Sequence, residues 1–494
     1  MLDAYAWPQS VGAGEEVPLH VSTDRGPVDV EVAREGAERR VVWSRTGIVA
    51  EAHAVPEGAS ADGCGWPTAL SIPTDAGWRS GYYSVVLRAR DETADAFFVV
   101  RPGIRRSPIV LVLSTTTYNA YNDWGGPSLY TGGTRVSFER PLARGLLSKP
   151  EPERRKMQPR LDREALWFFE WAEPLGLSVW SGGAGWWNWE RRFVAWAERE
   201  GFELDVAVSQ DLERRSDVLD GHRLFVCVGH DEYWSWGMRD ALDAFVDAGG
   251  NAAILGGNTC FWQIRFEDEA RAITSFKYLA DEDPVVGTPD ERFVTGAWSD
   301  RRIGRPETST TGLTFTRGGY SRYGLGVPNA SGAYTVWRPE HWAFEGTDLH
   351  YGDALGLADT IVAYEVDGCE LAIENGLPAP THADGAPASL EILATAPARL
   401  WRQDEQPSRY AHEAGELENA AAAVFGERWR EELHRFEHNQ ACLAVFERPG
   451  GGTVFNAGVT DWAYGLGDPA VARITRNVLS RLSGRADAPA AAWG

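Results

Sequence analysis

In the segment GHDEYW, His230 and Glu232 stand two residues apart. Successive residues of an extended chain alternate faces, so both side chains would point to one side if strand geometry continues through them. An imidazole beside a carboxylate suits a metal site or acid–base chemistry. A plainer reading is that Asp231 and Glu232 merely favour the positive end of the helix that follows. The segment YNAY supplies Tyr118 and Tyr121, and SLY supplies Tyr130. Buried tyrosines usually serve as core with a satisfied hydroxyl. Phenolate becomes a ligand only beside a strong Lewis acid, and as a hard oxygen donor it suits a ferric ion better than zinc or copper(I). In GGN at 256–258, two glycines let the backbone turn tightly and aim Asn258. No GxGxxG or GxxxxGK[ST] follows, which argues against nucleotide binding. GxSxG and HExxH are also absent.

These residues follow apolar runs that read as strands. IVLVL (109–113), LSVW (177–180), LDVAV (204–208), LFVCV (224–228), NAAIL (251–255) and GTVFNAG (452–458) are separated in several places by helical patterns. One such pattern is NWERRFVAWAERE, and another is SWGMRDALDAFVDA, with Ser235 as N-cap and Gly249 as C-cap. A third, DPAVARITRNVLSRL, follows the last strand, and that pair is expected to complete the sheet. Strands alternating with helices predict a doubly wound, mostly parallel α/β sheet, whose ligands bind outside the carboxyl ends of the strands. STTTYNAYNDWGGPSLY, SGGAGWWNW, GHDEYW, GGNTCFW and VTDWAYG all fall at that edge. Before this, residues 1–104 show short alternating runs between Gly, Pro and Asp turns, which predicts an immunoglobulin-like β-sandwich. The α/β domain is expected over 105–484, with a β-rich insertion at about 265–445 folded against the functional edge. The tail at 485–494 is expected to be disordered.

Composition narrows the partners. The 494 residues carry Lys+Arg 48 against Asp+Glu 71, a net charge of −23. That field repels phosphate backbones, so nucleic acid is not expected as a partner. No apolar stretch reaches the ~18 residues of a membrane span, and no signal segment is visible at the N-terminus, so a soluble, cytoplasmic protein is expected. Five scattered cysteines without CxxC signal neither disulfides nor a thiolate zinc site. Lysine occurs only as Lys149, Lys156 and Lys277, so Schiff-base chemistry has few candidates.

Taken together, TYNAYNDWGGPSLY (117–130), LFVCVGHDEYW (224–234), ILGGNTCFW (254–262), YEVDGCE (364–370) and FNAGVTDWAYGL (455–466) resemble the N,N-dimethylformamidase large (beta) subunit family, in the family's order. The resemblance implies an iron-dependent amide hydrolase with a mononuclear Fe³⁺ held by two tyrosines and a glutamate. Carried over, the metal residues are Glu232, Tyr130 and Tyr121, the last preferred to Tyr118. Placed three residues apart in a turn, the two YNAY tyrosines are not expected to face one ion together. His230, Asn258 and, as a weaker match, Glu365 are the implied catalytic residues. A small-molecule amide is the implied substrate, and a small subunit or further copies of the chain are the implied partners. The resemblance implies an extra N-terminal domain in the family, and a longer stretch between the tyrosine motifs, that this chain is expected to lack. Trp186, Trp187 and Trp189 are expected to wall the pocket. The rival reading is a non-catalytic module that binds carbohydrate or protein through a Trp-rich surface.

Overall fold

A computed structural model of the protein describes residues 1–156, 164–322, 328, 330–405 and 415–485. The expected tail at 485–494 therefore lies, but for Arg485, outside the described residues.

The site hangs on a nine-stranded sheet. Its first five strands run in the order Leu204–Val208, Ile109–Leu113, Leu224–His230, Asn251–Gly257, Thr453–Asn456, and every adjacent pair among them is parallel. All five residues of Ile109–Leu113 are buried, which is why the run carries no polar alternation. Ile109, Leu111 and Leu113 enter one apolar cluster with Phe193 and Val478, from helices Glu190–Arg199 and Pro469–Ser483. Val110 and Val112 enter another with Met238 and Leu242, from helix Trp236–Asp247. Apolar cores thus cover both faces of this half of the sheet. Ser235 caps the last of these helices by accepting a hydrogen bond from the Met238 N–H, and Gly249 lies one residue past its C-cap with φ +92°.

The other four strands differ from expectation. Asn439–Glu447, Glu391–Ala398, Tyr334–Val336 and Ala354–Leu355 continue the same sheet, all antiparallel. The residues at about 265–445 thus widen the sheet as well as meeting its edge, and only half of its pairings are parallel. Thr453–Asn456 is consequently an interior strand, because RPGG at 448–451 folds it back on Asn439–Glu447 as a hairpin. LSVW is no strand. Ser178 accepts a hydrogen bond from the Trp180 N–H and starts a 3₁₀ turn, Val179–Gly182. A four-residue apolar run carries too little periodicity to separate the two outcomes.

Strands between residues 2 and 101 form a three-stranded and a five-stranded sheet around their own apolar core. Tyr82, Phe97 and Val99 face the other way and join the core of the large sheet. Among the described residues, no helix is long and apolar enough to cross a membrane.

Candidate active site

Three strand ends and one neighbouring strand supply the polar groups. After Leu113 the chain enters the helix Thr115–Tyr121, so the two YNAY tyrosines sit on a helix and not in a turn. Three residues apart there, they diverge. The Tyr118 hydroxyl donates to Glu190 Oε1 at 2.7 Å. The Tyr121 ring packs 4.2 Å from that of Tyr130 and 5.5 Å from that of His230, centroid to centroid. Gly183 makes room for it, since a Cβ there would lie 2.7 Å from Tyr121 Cε1.

The strand Leu224–His230 ends at the imidazole, and Glu232 follows on the same side with His230 Nε2 and Glu232 Oε2 3.3 Å apart. The Glu232 carboxylate does not serve the following helix. Its oxygens accept from the Tyr130 hydroxyl at 2.9 and 2.7 Å, and Oε1 also accepts from the Trp262 indole at 2.7 Å. The Tyr233 hydroxyl donates to that of Tyr130 at 2.8 Å. The Glu232 backbone N–H is fixed by Thr117 Oγ1 at 3.0 Å.

GGN brings the third strand end in for a packing reason. A Cβ on Gly257 would sit 2.6 Å from the Thr460 nitrogen and 2.7 Å from the Glu365 carbonyl oxygen, so only glycine lets these segments meet. Asn258 then adopts φ +48°, held by its N–H donating to Asp367 Oδ1 at 2.9 Å. Its Nδ2 donates to Glu365 Oε2 at 3.2 Å and lies 3.3 Å from His230 Nε2. Glu365 begins the short strand Glu365–Gly368, which Val366 bridges to Val459. His230 contacts the Gly183 carbonyl through Nδ1 at 2.6 Å and Glu365 Oε2 through Nε2 at 2.7 Å.

Electrostatics follow from this burial. Burial alone would lower the His230 pKa, but the Glu365 and Glu232 carboxylates outweigh it and raise the pKa to about 9. Burial would raise Glu365, yet His230 holds it below the usual carboxylate range. With His230 protonated, Nε2–H donates to Glu365, and the Asn258 amide has Glu365 as its acceptor there. Burial pushes Glu232 up, and it pushes the Tyr121 and Tyr130 phenols well above their ordinary value, with the Glu232 charge adding to both.

Tyr121, Tyr130, Glu232, Asn258 and Glu365 line one cavity of about 60 Å³. At ~10–15 Å³ per water-sized group it has room for roughly four to six of them. The expected tryptophans do not wall it. Trp186 stacks on Tyr82 at 3.8 Å, Trp187 lies under the Arg191 guanidinium, and the Trp189 indole donates to Asp461. Their apolar area is used between layers, as large rings commonly are. Trp180, Trp401, Phe261 and Phe315 form the wall instead.

Two lysines went unrecognised in the sequence. Lys156 lines the cavity and donates to the Tyr364 hydroxyl at 2.9 Å, with burial pushing its pKa down to about 8. The Lys277 ammonium lies 3.2 Å from the Tyr130 ring centroid. All three lysines of the chain are buried, while the surface cations are arginines.

Comparison with known proteins agrees with the motifs. A family model described as N,N-dimethylformamidase beta subunit-like, C-terminal, matches residues 29–475. The chain belongs to that family. Two relatives are each named N,N-dimethylformamidase beta subunit. The Alcaligenes sp. protein is 23% identical over 63% of this chain and 43% of its own length. The Paracoccus aminophilus protein is 22% identical over 87% of this chain and 56% of its own. The chain thus spans about half the length of these dimethylformamidase subunits.

Among the described residues, no group of three or more His, Cys, Asp or Glu side chains is arranged to hold a metal ion. Two phenols, Tyr121 and Tyr130, line the cavity beside Glu232 as further oxygen donors for a metal ion. The donor chemistry fits one. Glu232, Tyr121 and Tyr130 are oxygen acids crowded together and pushed upward by burial, and a multivalent cation relieves that by favouring their ionised forms.

Proposed function

We propose that this protein is a metal-dependent hydrolase that cleaves the carbon–nitrogen bond of a small amide. The observation that carries the reading is the convergence of Tyr121, Tyr130 and Glu232 with the His230–Glu365–Asn258 network on one small cavity. Family membership and the names of the two relatives support the reaction class.

In this reading Tyr121, Tyr130 and Glu232 hold a mononuclear Fe³⁺, and Tyr118 does not. Bound there, the ion supplies Lewis acidity toward the amide carbonyl oxygen and the attacking water. The remaining roles belong to side chains. His230 Nε2, held by Glu365, is placed to pass a proton to the departing amine nitrogen. Once the proton is given up, the neutral imidazole accepts one from the next water. Asn258 Nδ2 carries two hydrogens, one donated to Glu365 and the other suited to the developing oxyanion, a role that can contribute ~3–4 kcal/mol. Trp180, Phe261 and Phe315 exclude water and strengthen these polar contacts.

The same reading takes the two N-terminal sheets as an immunoglobulin-like sandwich ending near residue 104 and the parallel strands as a doubly wound α/β domain. It also expects assembly with a further subunit or further copies, since both relatives are named as beta subunits.

The test combines metal analysis, visible spectroscopy and an amide panel on purified protein. Expected are about one iron per chain, a phenolate-to-iron charge-transfer band, and turnover of at least one formamide or acetamide. Iron-replete protein inert on every amide, with and without a co-encoded partner, would overturn the reading.

A further inference from the structure

A second and larger cavity, about 330 Å³, adjoins the catalytic one. The two share Phe261, Tyr278, Phe315 and Glu416 in their linings. Trp262, whose indole donates to Glu232, also faces the larger space. Aromatic side chains thus run from the candidate metal residues into the second cavity. Phe261 and Phe315 meet edge to face at 5.1 Å, and Trp262 meets Tyr278 the same way at 5.0 Å. Small residues are part of the lining of this larger cavity as well. Ala280, Ala297, Ala420 and Ala423 line it, the last two on helix Glu416–Phe425.

Charged groups also line this space, Lys277, Arg301 and Glu427 among them, and several of the lining charges are engaged by neighbours. Arg302 is held by Asp300 at 2.6 Å and by Asp281 at 2.7 Å. Glu416 accepts from the Tyr320 hydroxyl at 2.8 Å. Toward the catalytic side the lining is mainly aromatic, Phe261, Trp262, Tyr278 and Phe315, with room beside it. Surfaces of that kind hold planar apolar groups by burial and ring contact, the latter adding ~0.5–1.5 kcal/mol beyond area.

We propose that the second cavity is a substrate subsite for a ring-sized apolar substituent on the amide, with Ala423 and Ala297 keeping it open. The inference rests on the amidase reading for its chemistry, and the substrate class it names is aralkyl or aryl amides. Dimethylformamide would fill only the smaller cavity. At ~10–15 Å³ per water-sized group, the larger space holds roughly twenty to thirty such groups, ample for a phenyl or benzyl ring.

The probes are N-benzylformamide and N,N-dimethylformamide, each measured for binding by calorimetry and for hydrolysis with the full-length, iron-loaded protein. N-benzylformamide is expected to bind at least tenfold more tightly. Ala423→Phe, at a half-buried helical position, is expected to weaken N-benzylformamide binding by at least tenfold and to leave dimethylformamide binding within twofold. Ala297→Leu is the second variant, expected to act in the same direction, and thermal melting verifies that each is folded. Binding is read without turnover, so an inert but benzylamide-selective protein would sink the hydrolase reading and keep the subsite. Equal binding of the two probes, or benzylamide binding unchanged in both folded variants, would overturn the subsite and leave the hydrolase reading standing.

Discussion

Gly183→Ala is a sharp probe of how Tyr121 is positioned. The substitution adds one methyl group to a residue whose backbone, at φ −100° and ψ −6°, any L residue adopts. Backbone strain therefore contributes nothing, and the effect is steric. The new Cβ would lie 2.7 Å from Tyr121 Cε1 and 3.3 Å from Cδ1, against an ordinary carbon–carbon contact of ~3.5–4.0 Å. Relief needs a ring displacement of roughly 0.8 Å or more on that comparison. The ring has little room to yield, because Tyr130 lies 4.2 Å away and His230 5.5 Å away. The Gly183 carbonyl also contacts His230 Nδ1, so backbone movement would carry the imidazole with it. Overpacking of this kind costs ~1–3 kcal/mol, and a 1 Å misplacement of a reacting group costs about 10² in rate. The variant is expected to melt several degrees lower, to lose most of its iron and visible band, and to lose at least about 10² in kcat/KM. Metal analysis, the visible spectrum and a melting curve report these independently. If Gly183→Ala retains full iron, an unchanged band and wild-type turnover, then Tyr121 is not where the chemistry needs it and the candidate metal set is wrong.

Tyr121→Phe should abolish the visible band, whereas Tyr118→Phe should keep it and lose only ~1–2 kcal/mol of stability through Glu190, as separate melts and spectra would reveal. Asn258→Ala is expected to keep its iron while kcat falls by about 10²–10³, the usual cost of one lost oxyanion donor; loss of iron together with activity would instead make Asn258 part of the metal's surroundings. Glu307 offers a pH test away from the site. Burial raises its pKa to about 7, so the folded state favours the protonated form. Its unfavourable ionisation appears as pH climbs from about 4.5 through 7, and stability falls over that window. Glu307→Gln should then melt higher than wild type at pH 8, by on the order of 1–3 kcal/mol, and nearly equal to it at pH 4.5; parallel melting curves across the range would refute this account.

The strand ends were legible from local pattern. Runs such as IVLVL and LFVCV are apolar throughout because both their faces are buried, and the polar segments after them had to gather at one edge. His230, Glu232 and Asn258 were found that way, since each follows its strand directly. The tyrosines stood at the same edge, but the choice of Tyr121 and Tyr130 as ligands, and Glu365 itself, rest on family motifs, because nothing local to a tyrosine or a glutamate announces a distant partner. The single helical turn between Tyr118 and Tyr121 decides which phenol faces the cavity, and Tyr118 is bonded instead to Glu190, 72 residues away. Lys156 and Lys277 approach the site through contacts that span 208 residues to Tyr364 and 148 to the Leu129 carbonyl, which no periodicity encodes. The Trp-rich loop misled for the same reason. Its composition predicted a wall, while the layers beneath it claimed the rings. Sequence alone determined which strand ends carry polar chemistry, because burial of a strand is a local constraint on residue type. Tertiary structure alone decided which groups share the cavity and how their charges shift, because those follow from distances between segments far apart in the chain.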